Sequence, residues 1–276
     1  MTRLISSLIL LTISMAATAA NLPQHSPTPG GIALVELGEL SSPRPEVTYN
    51  KNKVMVLSNA TQWVAVVGVP LSAKPGKHRI KVSSASKSMT KTFNVLDKKY
   101  ETQHLTIKNK RKVDPNEQDM IRIRKESKRI ASALKHWSDQ DDVTIEFVPP
   151  VNGRMSSSFG LRRFFNEQPR KPHSGMDIAA TEGTPIVAPA PGKVIETGDF
   201  FFNGKSVFVD HGQGLVTMYG HMNSIEVKPG QLVKTGSALG TVGMTGRVTG
   251  PHLHWGISLN NARVDPRLFL KPEGAQ

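Results

Sequence analysis

Gly250-Pro-His-Leu-His-Trp-Gly256 sets two histidines two residues apart, with Leu253 between them and Trp255 after them. In an extended chain alternate residues share a face, so His252 and His254 point one way and Leu253 the other, as in a strand lying on a core. One face is chemical and the other structural. Upstream, Pro172-His-Ser-Gly-Met-Asp-Ile178 spaces His173 and Asp177 four apart. Gly175 argues against a helix there, and in extended chain positions i and i+4 again face the same side. Five of the nine histidines fall between positions 173 and 254, and the apolar run Thr217-Met-Tyr-Gly-His-Met222 carries His221 between the two pairs. A lone His-x-His arises by chance, but clustering of this kind points to a site. Two imidazoles and one carboxylate form an open zinc set, with a fourth position left for water, whereas four protein ligands would close the metal. One histidine of the last pair then remains for acid-base work.

Composition removes other classes. The chain has no cysteine, so disulfides, thiolate ligands and a lipidated cysteine are all excluded. No Rossmann fingerprint, phosphate loop or His-Glu-x-x-His helix is present, and Gly240-Thr-Val-Gly-Met-Thr-Gly246 reads as turns that shape a groove floor. A net charge of +13 invites polyanions, but it is dispersed and aromatics make up only 6%. That argues for an anionic wall polymer or membrane surface as partner, and against nucleic acid. Met-Thr-Arg3, the apolar run Leu4 to Ile13 and Ser14-Met-Ala-Ala-Thr-Ala-Ala20 follow the order of a secretory signal, with Ala17-Thr-Ala19 as one cleavage site.

The 276 residues suggest two folded units after that signal. Short strand-like runs from Ile32 to Ile107, punctuated by turns such as Asn50-Lys-Asn52, predict a small immunoglobulin-like β-sandwich in an N-terminal domain, residues 21–110. It carries no titratable constellation, so its role is positional: binding the wall, docking a partner or covering the catalytic groove. Residues 111–140 predict a connector helix with Asp114 as N-cap, Pro115 at the first position and Glu117 completing a capping box. Met120, Ile123, Ile130 and Leu134 form its apolar stripe. Residues 141–276 predict a mainly antiparallel β-domain, with runs such as Val207 to Val209 and Val216 to Tyr219. Asp210-His-Gly212 reads as a turn, which makes His211 structural.

His173-x-x-x-Asp177, Tyr219-Gly-His221 and His252-x-His254, preceded by Ser158-Phe-Gly-Leu-Arg-Arg163, resemble the lysostaphin-type or LytM-like zinc endopeptidases of bacterial cell walls. The resemblance covers residues 150 to 270. It implies a single zinc held by His173, Asp177 and His254, with His221 and His252 as the catalytic pair. It also implies an activity: hydrolysis of peptide cross-links in peptidoglycan, at the D-alanine to diaminopimelate bond for a Gram-negative host, and a periplasmic location. The N-terminal domain resembles one found ahead of the peptidase in Gram-negative members. Independently of the resemblance, the donor forks of Arg162 and Arg163 match peptide carboxylates of the substrate; in the family pattern Asn166 is expected to contact substrate at the cleft mouth. Some relatives have lost ligands and only activate other hydrolases; here every expected position is filled.

Overall fold

The computed structural model describes residues 22–84 and 87–271; the expected signal, residues 1–20, lies outside the described residues. Six short runs form strands β1 (Ile32–Glu39), β2 (Glu46–Tyr49), β3 (Asn52–Ser58), β4 (Gln62–Gly68), β5 (Gly76–Ser84) and β6 (Lys87–Val95), the first four rich in β-branched residues and the last two more polar. They bond in the order β1-β4-β3-β2-β5-β6 and curl into a barrel-like unit. Asn50 and Lys51, both at positive φ, make the two-residue turn between β2 and β3 whose twist matches the strands.

Strands β3 and β4 are apolar without alternation, and both their faces are covered. Val54, Val56, Ala65 and Val67 look into the N-terminal core. Their neighbours Met55, Leu57 and Val66 enter the large C-terminal core beside Leu215, Trp255 and Leu259. A strand buried on both faces needs such a continuous run. The contact is also pinned by polar groups. Asn260 accepts from Gly68 N at 2.7 Å and donates to its carbonyl at 3.1 Å, and Gln213 accepts from Val56 N at 3.0 Å. A Cβ on Gly68 would lie 2.6 Å from the Leu259 carbonyl, so only glycine permits this approach.

A linker follows, with β7 (Thr102–Leu105) and then α1 (Glu117–Leu134). The helix starts two residues later than the Asp114 cap predicted from sequence. Asn116 caps it, accepting from Asp119 N while Asp119 accepts from Asn116 N. Arg111 also grips Asp119 with two bonds of 2.6 and 2.7 Å, and this holds the first turn two residues on from the expected start. Only the far end of the expected stripe is buried: Ala133 and Leu134 pack on Phe200, Phe208 and Met218, while Met120 is exposed. Arg129 to Glu196, Arg122 to the Asp199 carbonyl and Ser258 to the Leu134 carbonyl fasten the helix along the C-terminal sheet.

The C-terminal unit comprises β8 (Arg154–Ser157), the hairpin β9 (Arg162–Phe165) and β10 (Gln168–Pro169), β11 (Met176–Ala179), β12 (Pro185–Val187), β13 (Gly192–Phe200), β14 (Gly204–Asp210), β15 (Leu215–Ile225), β16 (Leu232–Val233), β17 (Ala238–Val242), β18 (His252–Leu259) and β19 (Ala262–Val264), of which all but β9 and β10 form one ten-stranded sheet. The main path runs β16-β13-β14-β15-β18-β11-β8, antiparallel throughout. Gly240 to Val242, expected as turn, belong to β17 and pair with β12 and β15. The β9–β10 hairpin stands apart, and β9 pairs in parallel with β7, tying the linker to the C-terminal unit. Among the described residues no helix is long and apolar enough to cross a membrane.

Candidate functional site

Register places the cluster. Asp177 on β11 lies opposite His254 on β18 and Ser157 on β8, and Ala179 lies opposite His252. Residues directly opposite share a face. The alternation read from the sequence therefore brings His252, His254 and Asp177 to one side, while Leu253 and Trp255 enter the core. His173 sits just before β11, its backbone paired with Leu161 and Gly160. Gly175 crosses directly over the ring of His254, where a Cβ would lie 2.8 Å from Cε1.

His221 arrives differently. Gly220 is the residue opposite His254 on β15, so the next position would normally face the core. A bulge between Tyr219 and Met222 adds one residue to β15 against β14, and His221 takes φ +64°. This turns the imidazole towards His252, ring centroids 4.8 Å apart. Bulges that re-aim a side chain are common beside active sites.

Three donor atoms meet within this frame. His173 Nε2 lies 3.0 Å from Asp177 Oδ1 and 3.1 Å from His254 Nδ1, which is 2.8 Å from the same Oδ1. Tetrahedral zinc with bonds of about 2.0–2.1 Å has ligand edges of about 3.3 Å, so this triangle would expand only slightly to hold one. Tautomers agree. His173 Nδ1 donates to the Ser158 carbonyl, His221 Nδ1 to Thr245 O and His252 Nδ1 to Gly250 O, each at 2.8 Å. A carbonyl can only accept, so each neutral ring keeps its proton on Nδ1 and offers a bare Nε2. Fixing a ligand histidine through its other nitrogen is usual for metal sites.

Burial raises the pKa of Asp177, but the close pairing with His173 and His254 outweighs it and holds the carboxyl well below its usual range. Burial lowers His254 to about 4 against the pull of Asp177. His221 is lowered well below the usual value by burial and by His252 and His254. Arg163 donates to Asp177 Oδ2 at 2.7 Å and to Ser157, leaving Oδ1 for the donor triangle.

The other expected contacts fall elsewhere. Arg162 is exposed and bonds Thr102, because on β9 it faces away from Arg163. Asn166 and Glu167 form the positive-φ turn of the β9–β10 hairpin, and the Asn166 amide brackets Ile107. Neither side chain reaches the cluster. Of the two adjacent arginines read as carboxylate binders, Arg163 turns to Asp177 and Arg162 to Thr102. His211 is structural: its Nδ1 donates to Pro191 O at 2.7 Å, its Nε2 accepts from Thr217 Oγ1 at 2.8 Å, and burial lowers it to about 4.

The cluster opens into a cavity of about 250 Å³ lined by Arg163, Phe165, Lys171, Phe202 and Arg247 as well as His173, His221 and His254. None of its lining residues comes from β1 to β6. The linker still frames it: Lys112 donates to the Phe201 carbonyl and Arg170 to the Val113 carbonyl.

Residues 171–266 match the model of "Peptidase family M23", and residues 25–98 that of "Peptidase family M23 N-terminal domain". The crystal structure of a candidate M23 peptidase from Pseudomonas aeruginosa is 42% identical, with a TM-score of 0.76 over 89% of this chain and 95% of that one. Peptidoglycan DD-endopeptidase ShyC of Vibrio cholerae is 40% identical over 121 residues, 44% of this chain and 28% of ShyC. DD-carboxypeptidase/endopeptidase Mpg of Neisseria gonorrhoeae is 38% identical over 118 residues, 43% of this chain and 27% of Mpg. The chain thus matches only about a quarter of the length of these two relatives.

Proposed function

The chain belongs to peptidase family M23, and from that premise we propose that it is a zinc-dependent endopeptidase that hydrolyses peptide cross-links of peptidoglycan, at the D-alanine to diaminopimelate bond, in the periplasm. The proposal divides the chain into a positional β-domain (21–110), a connector helix (111–140) and a catalytic domain (141–276). The observation that carries it is the set of three imidazoles, His173, His221 and His252, locked by carbonyls at Nδ1 and each left with a bare Nε2, gathered around Asp177 and His254. The names of the DD-endopeptidase relatives supply the substrate class.

In this reading His173 Nε2, Asp177 Oδ1 and His254 Nδ1 hold the zinc, and Arg163 keeps the carboxylate turned and charged. When bound, zinc polarises the scissile carbonyl and acidifies the attacking water. Proton handling falls to His252 and His221. His252 Nε2 lies 3.9 Å from Asp177 Oδ1, at the edge of the donor triangle. It takes the water proton on a lone pair already aimed at the site. The N–H so formed is the acid that the departing amine needs, which balances the proton over one turnover. His221, kept neutral by burial, serves as an acceptor that orients the water.

The test is digestion of purified peptidoglycan by the zinc-loaded protein, the chelated protein and H252A, with products identified by mass spectrometry. Loss of cross-linked dimers in the first sample alone is the expected result, and the new termini name the bond. Intact dimers in every sample, with zinc bound, would reject the endopeptidase and favour an activator of another hydrolase.

A further inference from the structure

Most cations around the cavity are already engaged. Arg163 serves Asp177, Ser157 and Gln103, and Arg170 serves the Val113 carbonyl, Gln168 and Asp114. Arg247, on the loop between β17 and β18, is different. Its guanidinium is clamped between Phe165 and Phe202, 4.4 Å from each ring centroid. These rings come from opposite sides of the cavity: Phe165 from the β9–β10 hairpin, backed by Leu105, Ile107 and Val113 of the linker, and Phe202 from the turn after β13. The side chain makes a single long hydrogen bond, 3.4 Å to the Lys112 carbonyl, and among the described residues it has no carboxylate partner.

Such an arrangement is costly. A half-buried cation without a counter-ion loses hydration that two aromatic faces restore only in part. Burial, with repulsion from Arg163 and Arg170, lowers its pKa to about 10, so it stays charged at neutral pH. The stacking fixes the plane of the guanidinium while leaving N–H groups free, in the same cavity as His221 and His254. A planar fork of donors held in this way matches a carboxylate.

We propose that Arg247 is the specificity residue of this site, binding a free carboxylate of the peptide stem beside the bond to be cut. The proposal rests on the peptidase reading above. Cross-linked stems offer two such groups: the diaminopimelate carboxylate next to the scissile nitrogen, and the carboxylate at the stem terminus. Both present the same chemistry to Arg247, and amidation separates them.

The experiment compares soluble cross-linked dimers carrying free carboxylates, an amide at the first position or an amide at the second. Each is cleaved by the zinc-loaded full-length protein, R247K and R247Q. For wild type, amidation at one position is expected to lower kcat/KM on the order of 10- to 100-fold, mainly through KM, as for a lost charge-assisted bond. R247Q should cleave the free acid as slowly as wild type cleaves that amide, with the two forms within about twofold of each other. R247K, which keeps the charge but not the fork, should fall between. Equal rates for all three dimers in wild type would overturn the proposal. So would a uniform loss across all three in R247Q, because a mere brace between Phe165 and Phe202 ignores substrate charge. If no dimer is cleaved although zinc is bound, the endopeptidase reading fails on its own. Calorimetry with an uncross-linked stem peptide and its amides then decides Arg247. Tighter binding of the acid, lost in R247Q, upholds it; equal binding refutes it.

Discussion

His211 and His221 flank the same stretch of β15, both are buried, and burial lowers both pKa values, yet only one faces the cavity. His211 uses both ring nitrogens, on Pro191 O and Thr217 Oγ1, and Thr217 passes the chain on to Tyr219. His221 uses Nδ1 alone and leaves Nε2 bare towards His252. Burial and a shifted pKa are thus shared by a structural pillar and a histidine that faces the cavity. The difference lies in the unpaired nitrogen and in the bulge that aims it.

The comparison breaks most visibly on substitution. H221A and H252A are each expected to lose about 10²- to 10⁴-fold in kcat while retaining zinc, as for removal of a general acid-base group. A loss below about tenfold in either, measured on cross-linked dimers, would remove that residue from the pair. Next in size, R163Q should weaken zinc about 10- to 100-fold by releasing Asp177 Oδ2, read by competition with a chromogenic chelator. Unchanged affinity would mean that the Asp177 carboxylate holds its orientation without it.

His211 gives a stability effect in place of a kinetic one. Its pKa is about 4 when folded, against 6.5 for the free side chain, so the unfolded chain binds more protons between those values. Its contribution is complete above pH 6.5 and declines as pH falls towards 4, by on the order of 3 kcal/mol in all. H211Q should flatten that part of the wild-type pH profile in urea unfolding, with kcat changed by less than about threefold. A slope identical in both proteins would show that His211 is not the titrating group. The smallest effect belongs to R162A, expected within about twofold in kcat/KM because that side chain meets only Thr102 and solvent. A drop beyond tenfold would return Arg162 to the substrate.

Much of this was legible in the chain. The alternation in Gly250-Pro-His-Leu-His-Trp-Gly256 gives the shared face of His252 and His254, and the spacing of His173 and Asp177 brings both to it. Continuous apolar runs at Val54 to Leu57 and Val64 to Val67 already signal strands buried on both faces, a clue to the contact between the two β-units that alternation-based reading passes over. Other features depend on distant partners. The cap of α1 moved because Arg111 holds Asp119, a choice that Asp114-Pro115 conceals. Asn166 looked like a substrate contact but is the positive-φ residue of a hairpin turn. The clamp on Arg247 joins Phe165 and Phe202, far apart in sequence, and no local pattern announces it.

The most direct measurement is the zinc content of the purified full-length protein and five alanine variants after dialysis against a weak chelator. One zinc per chain is predicted for the wild type, H221A and H252A, and almost none for H173A, D177A and H254A. Zinc retained by H173A, D177A and H254A, or lost from H221A or H252A, would contradict the division between the atoms that hold the metal and the nitrogens kept free for the proton.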